Sequence, residues 1–262
     1  MFYIYKIIIS IVIGIIEGIT EFFPISSTGH IVVISHWLGI SNKNIDILKI
    51  FVQFGSSIAI FIFFFKEIIN LINFKKKKRN KNIHILISLI PTVSLGFIFY
   101  DSIKLLFNPK NIMYALIFGG IFLIISEIFK PKKSTINSIN DINILQSLII
   151  GCFESLCLYP GFSRSGATIG TAILLGIKRS VAIDFSFIIS IPLTIGASFL
   201  DLLKNINQIN IHHIPYYLSG FFISLIISLF SIKKLIQILN KIPLNIFGLY
   251  RFILAGLIYF IN

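Results

Sequence analysis

Six stretches of the chain are almost continuously apolar, at about 46–65, 83–100, 111–129, 182–201, 214–232 and 245–261. Each approaches the roughly 20 residues that an α-helix needs to cross about 30 Å of hydrocarbon, so each predicts a transmembrane helix. Two further stretches, 7–40 and 144–178, are apolar at both ends and polar in the middle. Their halves are too short to span singly. Backbone that leaves the helix at membrane depth is tolerated only where protein or a water-filled cavity surrounds it. Each stretch therefore predicts a re-entrant helical hairpin that runs in, turns at Pro, Gly and Ser, and runs back out. The expected fold class is an all-α polytopic membrane protein with six transmembrane helices and two re-entrant hairpins.

The polar middles are one block written twice, at a constant offset of 137 residues: Gly14-x-x-Glu17, Ser26-Ser27-Thr28-Gly29 and Leu38-Gly39-Ile40 return as Gly151-x-x-Glu154, Ser163-Arg164-Ser165-Gly166 and Leu175-Gly176-Ile177. Two halves with interrupted apolar segments at matching positions mark the binding site of inverted-repeat membrane proteins. The repeats are expected at about 1–129 and 144–262 of a single integral-membrane domain, 1–262. Charge orients them. With the loop at 66–82 (seven basic residues) in the cytoplasm, the loops at 130–143, 178–181 and 233–243 also lie inside, with three, two and three. The opposite loops, near 41–45, 101–110 and 202–213, carry one, two and one. Basic residues favour cytoplasmic loops, so the partition is self-consistent. It opens the first hairpin to the outside and the second to the inside, and their turns meet within the bilayer.

Composition narrows the class. With 56% hydrophobic residues and a mean hydropathy of +0.92, the chain lies well outside the range of soluble domains. A net charge of +13 would suit nucleic acid if it formed a patch. It is instead scattered through short loops, so no nucleic-acid partner is expected, and Lys75 to Lys78, Arg79 and Lys81 suit anionic lipid headgroups. Cys152 and Cys157 lack metal or redox spacing and are expected to be packing residues. Residues 1–24 fit a signal peptide only loosely, because Glu17 and Glu21 interrupt the apolar run and no small-x-small site follows. Trp37, Tyr216 and Tyr217 suit an interfacial aromatic belt. Asp184, Asp201 and Glu127 fall near span ends, where interfacial water would solvate them.

Charge within a membrane segment is expensive and marks function by default. Glu17 and Glu21, four residues apart, share a helix face with Cβ atoms about 6 Å apart. Two carboxylates in apolar surroundings do not both stay charged without a cation or proton between them. They read as a divalent-metal pair, as one metal ligand with one acid/base partner, or as a hydrated helix end. Pro24 stops that helix and Gly29 permits a tight turn. Of the hydroxyls of Ser26, Ser27 and Thr28, capping accounts for one; three at a helix N-terminus suit an oxyanion. His30, three residues after Ser27, lies on nearly the same side and would set an imidazole near a Ser nucleophile. In the second block, Arg164 deep in an apolar hairpin costs about 2.5–3.5 kcal/mol on the insertion scale. A phosphate would offset that cost, with Ser163, Ser165 and turn amides as further donors; the alternative is an ion pair with Glu154. For Arg251 a structural pair or carbonyl cap outweighs a second anion contact. One cation site and one anion site thus meet in lipid, as a phosphorylated or diphosphorylated lipid would require.

The stretches from Glu17 to His30 (EGITEFFPISSTGH) and from Pro160 to Thr168 (PGFSRSGAT) resemble the two signature motifs of the bacterial undecaprenyl-diphosphatase family, also called the bacitracin-resistance proteins. The resemblance covers essentially the whole chain, including Phe107-Asn108-Pro109 and Tyr250-Arg251-Phe252. It implies hydrolysis of undecaprenyl diphosphate to undecaprenyl phosphate and inorganic phosphate, which recycles the lipid carrier of peptidoglycan synthesis. It also implies inverted repeats in the bacterial inner membrane, a site open to the extracytoplasmic side, and a divalent cation, Mg²⁺ or Ca²⁺. Carried over by position, Glu17 and Glu21 are the acidic pair, Ser27 the candidate nucleophile, His30 its acid/base partner, and Arg164 the diphosphate clamp. Undecaprenyl diphosphate and membrane lipids are the expected partners, and a homodimer stays open. One departure stands out: the family pattern has Gln where Glu154 stands, and a carboxylate there offers Arg164 a partner.

The expected mechanism has Arg164 and the metal neutralise the diphosphate while Ser27 attacks the terminal phosphorus. His30 accepts the hydroxyl proton and water then releases phosphate. Direct attack by water or by His30 is the variant. The rival reading is an inverted-repeat transporter or flippase for a phosphorylated lipid or anion. Ser27 and His30 beside paired glutamates favour the enzyme, because a transporter needs charge complementarity alone.

Overall fold

The computed structural model describes residues 2–40, 42–72 and 83–261. The basic run Lys75–Lys78, Arg79 and Lys81 lies outside the described residues. Among the described residues the regular structure is helical, apart from an isolated bridge between Ile136 and Ile177. The first half contains α1 (Phe2–Thr20), α2 (Ser27–Trp37), α3 (Asn42–Phe63), α4 (Phe65–Ile72), α5 (Ile83–Ile98), α6 (Tyr100–Leu105) and α7 (Pro109–Ile128). The second contains α8 (Ile144–Glu154), a 3₁₀ turn at Ser155–Leu158, α9 (Arg164–Leu174), α10 (Arg179–Lys204), α11 (Ile214–Lys241) and α12 (Leu244–Ile261).

Local chemistry sets several of these boundaries. Asn108 caps α7, its side chain accepting from the Asn111 amide at 2.9 Å, with Pro109 in the first turn. That is where a missing N–H costs nothing. Asn143 and Gln146 form a reciprocal capping box at the start of α8. Gly39 and Gly176 end α2 and α9 at matching positions with φ of 62° and 79°, a conformation Gly adopts without penalty.

Five helices are long and apolar enough to cross a membrane: Ile45–Phe63, Pro109–Ile128, Arg179–Lys204, Ile211–Lys241 and Leu244–Ile261. The chain is therefore a multi-pass membrane protein. The span expected at 83–100 is shorter than that, because α5 stops at Ile98 and the chain resumes as α6. Conversely α1 has 19 residues, about 28 Å at 1.5 Å per residue, and exceeds the half-span expected of it. The outer surface suits lipid: Phe97, Leu105, Phe230 and Phe260 are each more than 70% exposed.

Packing follows the repeat. α1 lies on α11, as α8 lies on α5; α7 pairs with its counterpart α12, and α3 with its counterpart α10. Apolar side chains gain little by leaving lipid for protein, so close backbone approach and interhelical hydrogen bonds hold such helices together. Ser224 Oγ donates to the Val52 carbonyl at 2.7 Å, Thr92 Oγ1 to Gly151 at 3.2 Å, and Thr168 and Ser186 share a hydrogen bond. Gly151 in α8 lies directly on the Ser88 carbonyl of α5. The two hairpins differ in burial. Every residue of α9 from Ser165 to Ile173 is buried, among α7, α8 and α10, whereas alternate positions of α2 remain partly exposed.

Three expectations change. Tyr216 and Tyr217 are 4% exposed and belong to the core, with Tyr217 stacked on Phe51, because α11 packs on α1 and α3. Glu127 is not simply solvated: it accepts from Arg179 at 2.6 Å, from the Leu244 amide at 2.8 Å and from Lys130, tying α7, α10 and α12 at one end. Asp201 likewise accepts from Tyr100, with Lys104 at 3.4 Å. Finally, Cys152 is exposed rather than packed within the chain, and both cysteines are free thiols.

A methyl group on Gly151 would meet backbone, which cannot move aside as a side chain can, whereas one on Gly196 in α10 would meet nothing within 4 Å. Gly151→Ala should destabilise the detergent-purified protein by about 1–3 kcal/mol, and Gly196→Ala should leave its thermal midpoint unchanged or raise it.

Candidate active site

Both hairpin turns are built on the same strained serine. Ser26 (φ 69°, ψ 98°) and Ser163 (φ 70°, ψ 117°) are the non-glycine residues of positive φ among those described. Each is a helix N-cap, accepting from the amide three residues on: Gly29 at 3.2 Å and Gly166 at 3.3 Å. Strain of this kind costs about 1–3 kcal/mol and persists only where the surroundings enforce it. Here it reverses the chain sharply enough to bring the residue after each cap, Ser27 and Arg164, to the same place.

Ser27 and Arg164 meet at Glu21. The Glu21 amide bonds the Glu17 carbonyl at 3.0 Å, so the last turn of α1 carries both glutamates on one side, as their spacing predicts. Ser27 Oγ donates to Glu21 Oε2 at 2.7 Å, and Arg164 Nη2 donates to Glu21 Oε1 at 3.0 Å. The pair is nearly buried, with side-chain exposures of 11% for Arg164 and 13% for Glu21. Arg164 Nη1 reaches the Ser190 carbonyl of α10 at 3.4 Å. Glu17, 2% exposed, lies within the electrostatic reach of Glu21, Arg164, Ser27 and Lys49. Thr28 is half-buried in the first turn of α2; Ser165 is buried in that of α9, its hydroxyl 3.2 Å from that of Ser163.

The structure thus unites Glu17, Glu21, Ser27 and Arg164, but pairs them differently from the sequence expectation. No hydrogen bond joins Ser27 to His30; the carboxylate takes the hydroxyl proton's direction instead. His30 Nδ1 lies 2.8 Å from the Ser26 carbonyl and Nε2 lies 2.8 Å from the Tyr250 hydroxyl. Nor does Arg164 hydrogen-bond Glu154. That carboxylate is fully buried with no partner on either oxygen, because the guanidinium has turned across the molecule to Glu21. Of the two structural roles expected for Arg251, a pair or a carbonyl cap, it takes the cap, and its two Nη atoms have no hydrogen-bond partner. Wholly buried, it donates through Nε to Pro24 at 2.7 Å, and its guanidinium lies against Gly119 and Gly166. A side chain on Gly119 would occupy its place.

As a cation site, Glu17 and Glu21 offer the carboxylate oxygens that Mg²⁺ and Ca²⁺ prefer. Among the described residues no three His, Cys, Asp or Glu side chains gather as a metal cage. Glu17 and Glu21 are the two carboxylates at this spot, and the oxygens of Glu21 accept from Ser27 and Arg164. Chemically, the assembly offers a hydroxyl directed at a carboxylate, a guanidinium able to exchange that carboxylate for phosphate oxygens, and two helix N-termini converging on one spot. Tyr250 entered the sequence reading only within the Tyr250-Arg251-Phe252 match and with no role, since it is 220 residues from the histidine it contacts.

Residues 10–257 match the family model described as bacitracin resistance protein BacA. The chain is 63% identical over 264 residues to the undecaprenyl-diphosphatase of Buchnera aphidicola subsp. Schizaphis graminum (strain Sg), covering 100% of both chains. It is 61% identical over 262 residues to those of Buchnera aphidicola subsp. Acyrthosiphon pisum strains 5A and APS, covering 99% of each.

The cap and the strain at Ser163 can be separated. Ser163→Ala loses the acceptor and keeps the unfavourable φ, so it should cost about 1–2 kcal/mol, whereas Ser163→Gly, free to adopt φ near 70°, should cost only a few tenths. Thermal unfolding of the two variants in one detergent checks the order.

Proposed function

Because the chain belongs to the bacitracin resistance protein BacA family, we propose that it is an undecaprenyl-diphosphatase. It hydrolyses undecaprenyl diphosphate to undecaprenyl phosphate and inorganic phosphate, renewing the lipid carrier for cell-wall synthesis. The observation that carries this reading is Ser27 held against Glu21 while Glu21 is held by Arg164 from the other hairpin. A transporter would use the charges but has no need of a hydroxyl so aligned.

In this reading the diphosphate enters between the turns, and Arg164 exchanges Glu21 for phosphate oxygens. Its planar fork matches two of them. The amides at the starts of α2 and α9, with the hydroxyls of Ser26, Thr28, Ser163 and Ser165, line the same spot. Ser27 Oγ bonds to the terminal phosphorus as the anhydride P–O bond breaks, and undecaprenyl phosphate leaves. Glu21, the hydrogen-bond acceptor of Ser27, takes the hydroxyl proton. Water then cleaves the serine phosphoester, its oxygen goes to phosphate, and Ser27 regains its proton. Such catalysis is mainly positioning and charge stabilisation. Glu17 and Glu21 would hold Mg²⁺ or Ca²⁺, which when bound neutralises diphosphate charge beside the carboxylates. His30, bonded at both ring nitrogens to other groups, supports the turn.

The reading extends to topology. α1–α2 and α8–α9 are re-entrant hairpins from opposite faces of the inner membrane, and α3, α5, α7, α10, α11 and α12 are six spans. The greater exposure of α2 supports a site that opens to the extracytoplasmic side.

Ser27→Ala should reduce phosphate release from a short-chain prenyl diphosphate by about a thousandfold or more. The wild type in excess chelator should lose most activity and regain it with Mg²⁺ or Ca²⁺. A Ser27→Ala variant within tenfold of wild type would remove the serine from the chemistry, and full activity in chelator would remove the cation.

In a background lacking Cys152 and Cys157, a Cys at Gln208 should react with an impermeant thiol reagent added to intact cells. A Cys at Ser138 should react only after permeabilisation, since its loop holds three basic residues. Labelling of both from one side contradicts the topology.

A further inference from the structure

The phosphatase reading leaves Tyr250 without a task, yet its contacts are specific. Its hydroxyl is 2.8 Å from His30 Nε2, and the two rings stack with centroids 5.6 Å apart and planes 11° from parallel. The opposite nitrogen, Nδ1, faces the Ser26 carbonyl at 2.8 Å. A carbonyl accepts only, so Nδ1 carries the proton. In the neutral ring Nε2 is then an acceptor, and the Tyr250 hydroxyl must donate to it. The histidine tautomer is thus written by its two neighbours.

The far end of this chain of bonds is the nucleophile turn. The Ser26 carbonyl receives both the His30 ring and, at 3.4 Å, the His30 amide. Ser26 is the strained cap, and the next residue is Ser27, directed at Glu21. A bond from Tyr250 to His30 therefore bears on where Ser27 Oγ points.

The repeat supplies an internal control. The second turn has the same cap geometry at Ser163 and the same capping bond to Gly166. At the offset of 137 residues, however, His30 corresponds to Ala167 and Tyr250 to Met113. The strained cap is built there without a histidine or a tyrosine. The pair is not needed to make the turn, and it occurs only at the turn that carries Ser27. The outermost member, Tyr250, is 41% exposed, so burial of its ring does not explain its place either.

We infer that Tyr250 is a positioning residue for phosphate transfer, acting through His30 and the Ser26 carbonyl to hold Ser27 against Glu21. The inference rests on the phosphatase reading, and the tests keep the two apart. Tyr250→Phe keeps the stacked ring and deletes only the hydroxyl. In the full-length purified protein, with a short-chain prenyl diphosphate, it should lower kcat roughly 10- to 100-fold, the order of loss that misplacing a reacting group by about 1 Å produces. KM should stay within about twofold, because no substrate contact is lost, and the thermal midpoint should change little, because the exposed Nε2 site lets water replace the lost donor. Added to His30→Gln, the same substitution should change kcat by less than about twofold, since coupled residues are not additive.

Wild-type kcat in Tyr250→Phe, a loss confined to KM, or an equal loss with and without His30 would each overturn the inference. A readout independent of turnover covers an inactive preparation or a His30→Gln variant too slow to measure. In ring-¹⁵N-labelled protein the His30 signal, identified by its absence from His30→Gln, should report protonated Nδ1 and unprotonated Nε2. Its Nε2 resonance should shift in Tyr250→Phe while the other histidines stay put; an unshifted resonance overturns the inference. Absence of phosphate release by the wild type, with the tautomer as stated, would instead count against the phosphatase reading.

Discussion

Arg164 and Glu21 pair across the molecule at 3.0 Å, both almost wholly removed from solvent. Removing one partner of so nearly buried a pair strands the other, at a cost of about 3–5 kcal/mol. The two hairpins must therefore stay together, tip to tip. Their meeting determines what can sit between α2 and α9, and it leaves Ser27 beside the same carboxylate. The bond that satisfies the arginine in this structure is also one a phosphate can replace, because a guanidinium recognises carboxylate and phosphate with the same fork.

The duplicated architecture separates scaffold from chemistry. Ser26 and Ser163, Gly29 and Gly166, and Gly39 and Gly176 do the same work in both halves, because each half must reverse its chain in the same way. The differences carry the specialisation. One turn presents a serine after its cap and the other an arginine, and the two side chains meet at Glu21. Glu17 and Glu154 are counterparts as well, yet Glu17 joins a second glutamate while Glu154 is buried without a hydrogen-bond donor. Arg251 belongs to neither turn and touches both, bonding Pro24 in the first and lying against Gly166 in the second.

Much of this was legible in the sequence. Apolar length anticipated helices long enough to cross a membrane, and the 137-residue offset anticipated that the turns at Ser26 and Ser163 would match. These are properties of contiguous segments: helix length is fixed by rise per residue, and a cap is chosen by the few residues around it. The meeting of Glu21, Ser27 and Arg164 was likewise implied, since the two polar blocks were expected to face each other. Local reading went astray where length alone was the guide: α5 ended early and α1 ran long.

The tertiary structure decided who bonds to whom. Spacing put His30 near Ser27, but side chains three residues apart diverge once one of them finds a better partner. Ser27 turned to Glu21, and His30 turned to its own cap and to Tyr250 on the last helix. Sequence proximity likewise offered Glu154 to Arg164, whereas the convergence of the turns offered Glu21. Tyr216 and Tyr217 entered the core because α11 packs on α3, which no window of sequence around them encodes. A sequence states which groups need partners at a given depth. The choice among partners depends on how helices hundreds of residues apart are packed, because a hydrogen bond is decided within a fraction of an ångström.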